Sequence, residues 1–128
     1  QAKCQRAGGD ANIHYLQSRW RLEPDEALLV EARRIPVCDG WNFQLSNYWM
    51  ESLDYRFHRI HVNEHTATLE EDGSLRIVVS HEDPGPRWPN RLTTTGHRLG
   101  GMLFRWIGAE EHPPVAARVV PFRDLQGL

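Results

Sequence analysis

The chain has 128 residues and a formal net charge of −2, with 40% hydrophobic and 25% charged residues. That composition fits one folded domain with its own core and excludes a disordered or fibrous chain. Its slight acidity argues against a nucleic-acid partner, which needs a clustered cationic excess, and no run approaches the roughly 18 apolar residues of a membrane span.

Residues 1–12 are small and polar and read as a flexible lead-in or the remnant of an upstream region, with 13–128 forming one domain. From Ile13 onward the pattern has period 2, the mark of a strand with one face inward. His14, Leu16, Ser18 and Trp20 alternate with Tyr15, Gln17, Arg19 and Arg21. Leu28, Val30 and Ala32 form a second run, and Trp41, Phe43 and Leu45 the cleanest third. Glu70-Glu71-Asp72-Gly73-Ser74 predicts a hairpin tip between strands over 64–70 and 74–81, because Gly accepts positive φ and Asp caps the turn. Pro84, Pro86 and Pro89 predict a loop. Leu99–Ile107, apolar on both faces, predicts a central strand covered on both sides, and Arg118–Phe122 a last strand. Helix is confined to two short candidates, Pro24–Ala27 and Glu51–Arg56. The expected class is all-β: an antiparallel two-sheet sandwich with at most short helices.

Cys4 and Cys38 are far apart and form no CxxC pair, so they read as reduced thiols. No charged-then-apolar segment opens the chain, which favours a cytoplasmic setting, although a cleaved signal leaves no trace in such a sequence.

Three groups of residues are candidates for chemistry. His58, His61 and His65, with Glu64 beside them, could ligate a divalent metal. His58, His61 and His65 share a face on a helix, whereas His61, Asn63 and His65 share one on a strand; the spacing matches no established ligand motif. The competing reading is ordinary hydrogen-bonded surface imidazole, and no cofactor is predicted. His81-Glu82-Asp83 stands at a strand end, where acid–base work is conceivable but solvated loop charge is the commoner outcome. Five tryptophans are many for this length. Trp41 and Trp106 fit core positions, whereas Trp49 and Trp88, near strand ends or loops, could pack in the core, dock a neighbouring domain or stack on a ligand, packing or docking being the commoner outcome. No GxSxG elbow and no phosphate-cradling glycine loop occurs; Gly100-Gly101 reads as a close backbone approach or a bulge.

Trp41-Asn42-Phe43-Gln44-Leu45-Ser46-Asn47-Tyr48, Asp72-Gly73-Ser74-Leu75-Arg76-Ile77 and Pro89-Asn90-Arg91-Leu92, the last followed by a strand with Arg105-Trp106, occur in serial order. Together they resemble the bacterial domain of unknown function numbered 1214, over roughly residues 26–122. That family usually carries Trp where this chain has Arg91. The resemblance implies a jelly-roll-like sandwich at the C-terminal end of a longer polypeptide, and no agreed activity. Three functions are then open: a module packing against an upstream domain or another copy through an aromatic-bearing sheet face; a metal-assisted hydrolase using the histidines; and a carbohydrate or small-ligand binder using Tyr48, Trp88, Asn90 and Arg105.

Overall fold

A computed structural model describes residues 9–128. Eight strands run in chain order: β1 Ile13–Arg21, β2 Glu26–Ala32, β3 Gly40–Ser46, β4 His61–Asn63, β5 Leu75–Ser80, β6 Arg91–Thr93, β7 Leu99–Ile107 and β8 Val115–Pro121. A short 3-10 helix, Phe122–Gly127, follows β8. Sheet A has the order β1-β7-β3-β4 and sheet B the order β6-β5-β2-β8. The chain is thus an all-β two-sheet sandwich. No helix among the described residues is long and apolar enough to cross a membrane.

Alternation places one face of sheet A inward. Trp41 lies opposite Trp106, Phe43 opposite Phe104 and Leu45 opposite Met102. Trp20, Phe104 and Trp106 join Leu28, Val30, Ile77 and Val79 from sheet B in one core between the sheets. Sheet B is covered on its other face too. There Leu29, Val78 and Val120 pack beneath Trp88 and Leu125, the latter carried by the 3-10 helix. This explains why β2 and β5 read as nearly continuous apolar runs: both of their faces are removed from water.

Several expectations change. β6, missed in the sequence because Pro89 and Asn90 precede only three strand residues, pairs parallel to β5, so the sandwich is not wholly antiparallel. β7 is central, as expected, but only one of its faces is fully covered; Leu103, Arg105 and Ile107 stay half-exposed on the other. The turn at 70–74 forms, with Gly73 N–H donating to Glu70 O and Glu70 N–H to Ser74 O. No strand precedes it over 64–70. Asn63 Oδ1 takes the N–H groups of His65 (2.9 Å) and Thr66 (3.1 Å), which turns the chain out of the sheet. Neither helix candidate forms. Pro24 and Asp25 make a turn into β2, and 51–56 is a loop joined to β3 by the Ser46–Ser52 bridge and by Gln44 Nε2 donating to Ser52 Oγ at 3.2 Å. The last strand begins earlier than expected and ends at Pro121, where the 3-10 helix takes over. Of the lead-in, residues 1–8, including Cys4, lie outside the described residues; Asn12 O accepts the Gly108 N–H, which ties residue 12 to the end of β7.

Gly100 and Gly101 are the close approach that the sequence suggested. A Cβ on Gly100 would run into the Ser46 carbonyl oxygen and lie 2.7 Å from the Trp20 ring. Between these two glycines and β1, the Trp20 indole reaches across to donate to Gly101 O at 2.8 Å.

Candidate docking face

The outward face of sheet A is assembled from the residues that alternate with the core. It carries Tyr15, Gln17 and Arg19 from β1, Leu103 and Arg105 from β7, Asn42 and Gln44 from β3, and His61 from β4. The loop 47–60 borders it. Asn47 shapes the loop's start: its Oδ1 accepts the Trp49 N–H (2.9 Å) and the Glu51 N–H (3.0 Å). Met50 consequently takes φ 65°, which is uncommon for a residue with a side chain. Leu53 and Ile60 are the loop's buried anchors, at 4% and 2% exposure. Between these fixed points Tyr55 is 68% and Phe57 79% exposed, and ahead of them Trp49 is 74% and Met50 63% exposed.

The first half of this loop folds onto β1. The Arg19 guanidinium sits 4.6 Å from the Tyr48 ring centroid, and Tyr48 meets Trp49 edge-on at 4.9 Å. Gln17 Nε2 donates to the Met50 sulfur at 3.5 Å. Further along the face, Arg105 Nη1 donates to Asn42 Oδ1 at 2.8 Å and its guanidinium lies 5.9 Å from the Tyr15 ring. Scattered exposed apolar residues are normal, but a run of aromatic residues on one loop beside a half-exposed sheet face is the pattern of a contact surface.

The other sequence candidates are placed differently. Tyr48 and Arg105 both lie on or beside this face, but Trp88 and Asn90 do not join them. Trp88 is 3% exposed, roofs the outer core of sheet B, donates its indole N–H to Leu125 O and carries the Arg76 guanidinium 4.5 Å from its ring centroid. Asn90 is 2% exposed; it donates to Thr68 O (2.6 Å) and Arg76 O (2.9 Å) and accepts from Thr68 N–H (2.8 Å), so both amide hydrogens are already used. The pair serves packing, and the four-residue ligand set does not converge.

His58, His61 and His65 are all exposed, on a bend, a strand and a turn respectively. Among the described residues no three His, Cys, Asp or Glu side chains gather to hold a metal ion. The strand geometry that would align His61, Asn63 and His65 ends at Asn63, whose side chain is spent on the turn. Among the described residues His65 pairs with Glu64, at 3.5 Å.

His81 is a structural ligand of the backbone rather than a base in a cleft. Its Nε2 donates to Leu22 O (3.1 Å), which requires the proton on that nitrogen, and its Nδ1 meets the buried Thr94 hydroxyl at 2.9 Å. Asp83 accepts the Gly85 N–H and pairs with Arg91 at 3.2 Å. Arg91, standing where the resemblance leads one to expect Trp, thus braces the Pro-rich loop. Burial pushes the Cys38 thiol up, away from nucleophilic character. The sequence reading did not single out the stacked imidazoles of His14 and His112, 3.9 Å apart, because 98 positions of chain separate them.

No family model matches the sequence, and no curated protein matches it. Solved structures do. An uncharacterised protein from Burkholderia cenocepacia is 47% identical over 95% of this chain, with a TM-score of 0.91. A protein from Vibrio parahaemolyticus is 15% identical over 84% of the chain, with a TM-score of 0.64, a likeness of fold alone. The chain covers 33% of the first protein and 31% of the second, so it spans about a third of the length of the structures it matches.

Proposed function

We propose that this chain is a docking module of a larger protein, of the domain-of-unknown-function 1214 type, and that the outward face of sheet A with loop 47–60 is its contact surface. The observation that carries this reading is the exposure of Trp49, Tyr55 and Phe57 on a loop whose ends are fixed in the core. Leaving such rings in water forgoes about 25 cal/mol for each Å² of apolar surface, a cost that a partner's surface removes. The lengths of the Burkholderia and Vibrio proteins supply the partner's place, since each carries about two further thirds of chain beyond the matched part. The two four-stranded sheets support the sandwich part of the arrangement that the resemblance implies.

The reading is tested by iodide quenching of Trp49 in this chain and in the longest polypeptide its gene encodes. The other four tryptophans are at most 4% exposed and give a constant background. Trp49 is expected to be quenched in the short chain and protected in the long one. Equal quenching in both would remove the loop from any contact with a neighbouring domain.

A further inference from the structure

The docking reading leaves the chemistry of the partner open, and two arginines on the same face address it. The chain has 17 Asp and Glu residues. None of them occupies an outward position of sheet A, whether on β1, β7, β3 or β4. The acids at its borders are used locally. Glu64 accepts the Trp41 N–H, Glu51 accepts from Asn47, Asp54 pairs with Arg56, Glu23 pairs with Arg21, and Asp10 accepts the Asn12 N–H.

Most other described arginines face carboxylates, as at Arg34–Glu111 (2.7 Å) and Arg91–Asp83 (3.2 Å), while Arg59 and Arg87 are spent on backbone carbonyls. Arg19 and Arg105 face none among the described residues. Each is instead set against a tyrosine ring, Arg19 on Tyr48 and Arg105 by Tyr15. A guanidinium held against a ring has lost much of its rotational freedom while its in-plane N–H groups remain able to donate. Arg105 spends Nη1 on Asn42, which fixes its plane and leaves its other donors for an incoming acceptor. Two restrained forks on a face whose strands supply no acid, the Glu64 carboxylate over Gly40 being held by Trp41 N–H and His65, are complementary to carboxylates.

We infer that the partner of this face is an acidic polypeptide surface, with carboxylates seated on Arg19 and Arg105 and apolar side chains covering Tyr48 and Trp49. The inference rests on the docking reading above.

The test uses a synthetic glutamate–tyrosine copolymer as probe, followed by nitrogen–proton NMR of the intact chain at low salt. Binding should move the Trp49 indole and the Arg19 and Arg105 Nε–H resonances together. It should weaken about tenfold or more in the Arg19→Gln/Arg105→Gln double variant, the loss of one charge-assisted contact being enough for that factor. The indole resonances of Trp20 and Trp106, both buried and hydrogen-bonded, report that the variant is folded. Unmoved resonances, equal affinity in the double variant, or stronger binding to phosphatidylserine vesicles or heparin than to the copolymer would each overturn the inference. If the longer polypeptide protects Trp49 and the double variant leaves that protection unchanged, the docking face stands and its acidic partner falls.

Discussion

Gly100→Ala is the sharpest probe of how sheet A is assembled. The added methyl would meet the Ser46 carbonyl oxygen of β3 on one side and the Trp20 ring at 2.7 Å on the other. The first obstacle is backbone, and the second is a buried ring fixed by its bond to Gly101 O, so neither can yield cheaply. Overpacking of a close-packed core costs about 1–3 kcal/mol, and a backbone obstacle puts this site at the upper end, about 3 kcal/mol. Unfolding entropy of about 2.1 cal/mol/K per residue then converts that loss to a Tm lower by about 10 °C for a chain of this length. Gly101→Ala is the matched control. Its Cβ would meet the Ser46 hydroxyl at 2.6 Å, and a hydroxyl rotates away. Replacing a strand glycine also recovers part of the backbone entropy, so Gly101→Ala should change stability by less than about 1 kcal/mol. Both variants are compared by calorimetry. A Gly100→Ala melt within about 2 °C of the parent, or a larger loss in Gly101→Ala, would refute the packing argument.

Trp88→Ala should lower unfolding stability by about 3–5 kcal/mol in urea titration, because it opens the outer core of sheet B; a near-neutral result would mean that the 3-10 helix closes the gap by itself. Trp49→Ser should move the urea midpoint by no more than about 0.5 kcal/mol, since the ring is solvated in this chain, and a larger loss would place it in the core. Asn90→Leu should cost about 3 kcal/mol or more by leaving the Thr68 and Arg76 carbonyls without their donor. Burial, and then the stacked His112, hold the His14 imidazole below its ordinary value of 6.5. The unfolded chain therefore binds this proton more readily, and stability present above pH 6.5 is lost as pH falls towards the folded-state value. Urea midpoints measured between about pH 7.5 and about pH 5 should fall less steeply in His14→Gln, and an unchanged slope would remove His14 as its source.

The fold class was legible in the sequence because period-2 alternation is a local property. Trp41, Phe43 and Leu45 declare an inward face wherever the partner strand comes from. The same local reading could not foresee that sheet B would be covered twice. At Trp88 local pattern leaves core packing, docking and ligand stacking all open, and only the packing of residues 122–128 back over β2 and β5 makes it core. Nor could it place β6, three residues long and parallel to β5, since its pairing is made with a segment more than ten positions away. The histidines illustrate the converse. Spacing allowed His58, His61 and His65 to share a face only if the backbone continued regularly, and Asn63 ended the strand by capturing its own neighbours' N–H groups. The docking face was half legible. Tyr48, Trp49 and Arg105 stood out as residues, but the exposure of Tyr55 and Phe57 and the restraint of Arg19 on Tyr48 come from tertiary structure, because Leu53 and Ile60 take the core positions and leave the intervening rings outside. Local sequence determined which residues alternate and where the chain turns; which rings are buried and which meet a partner was decided only when two sheets competed for the same interior volume.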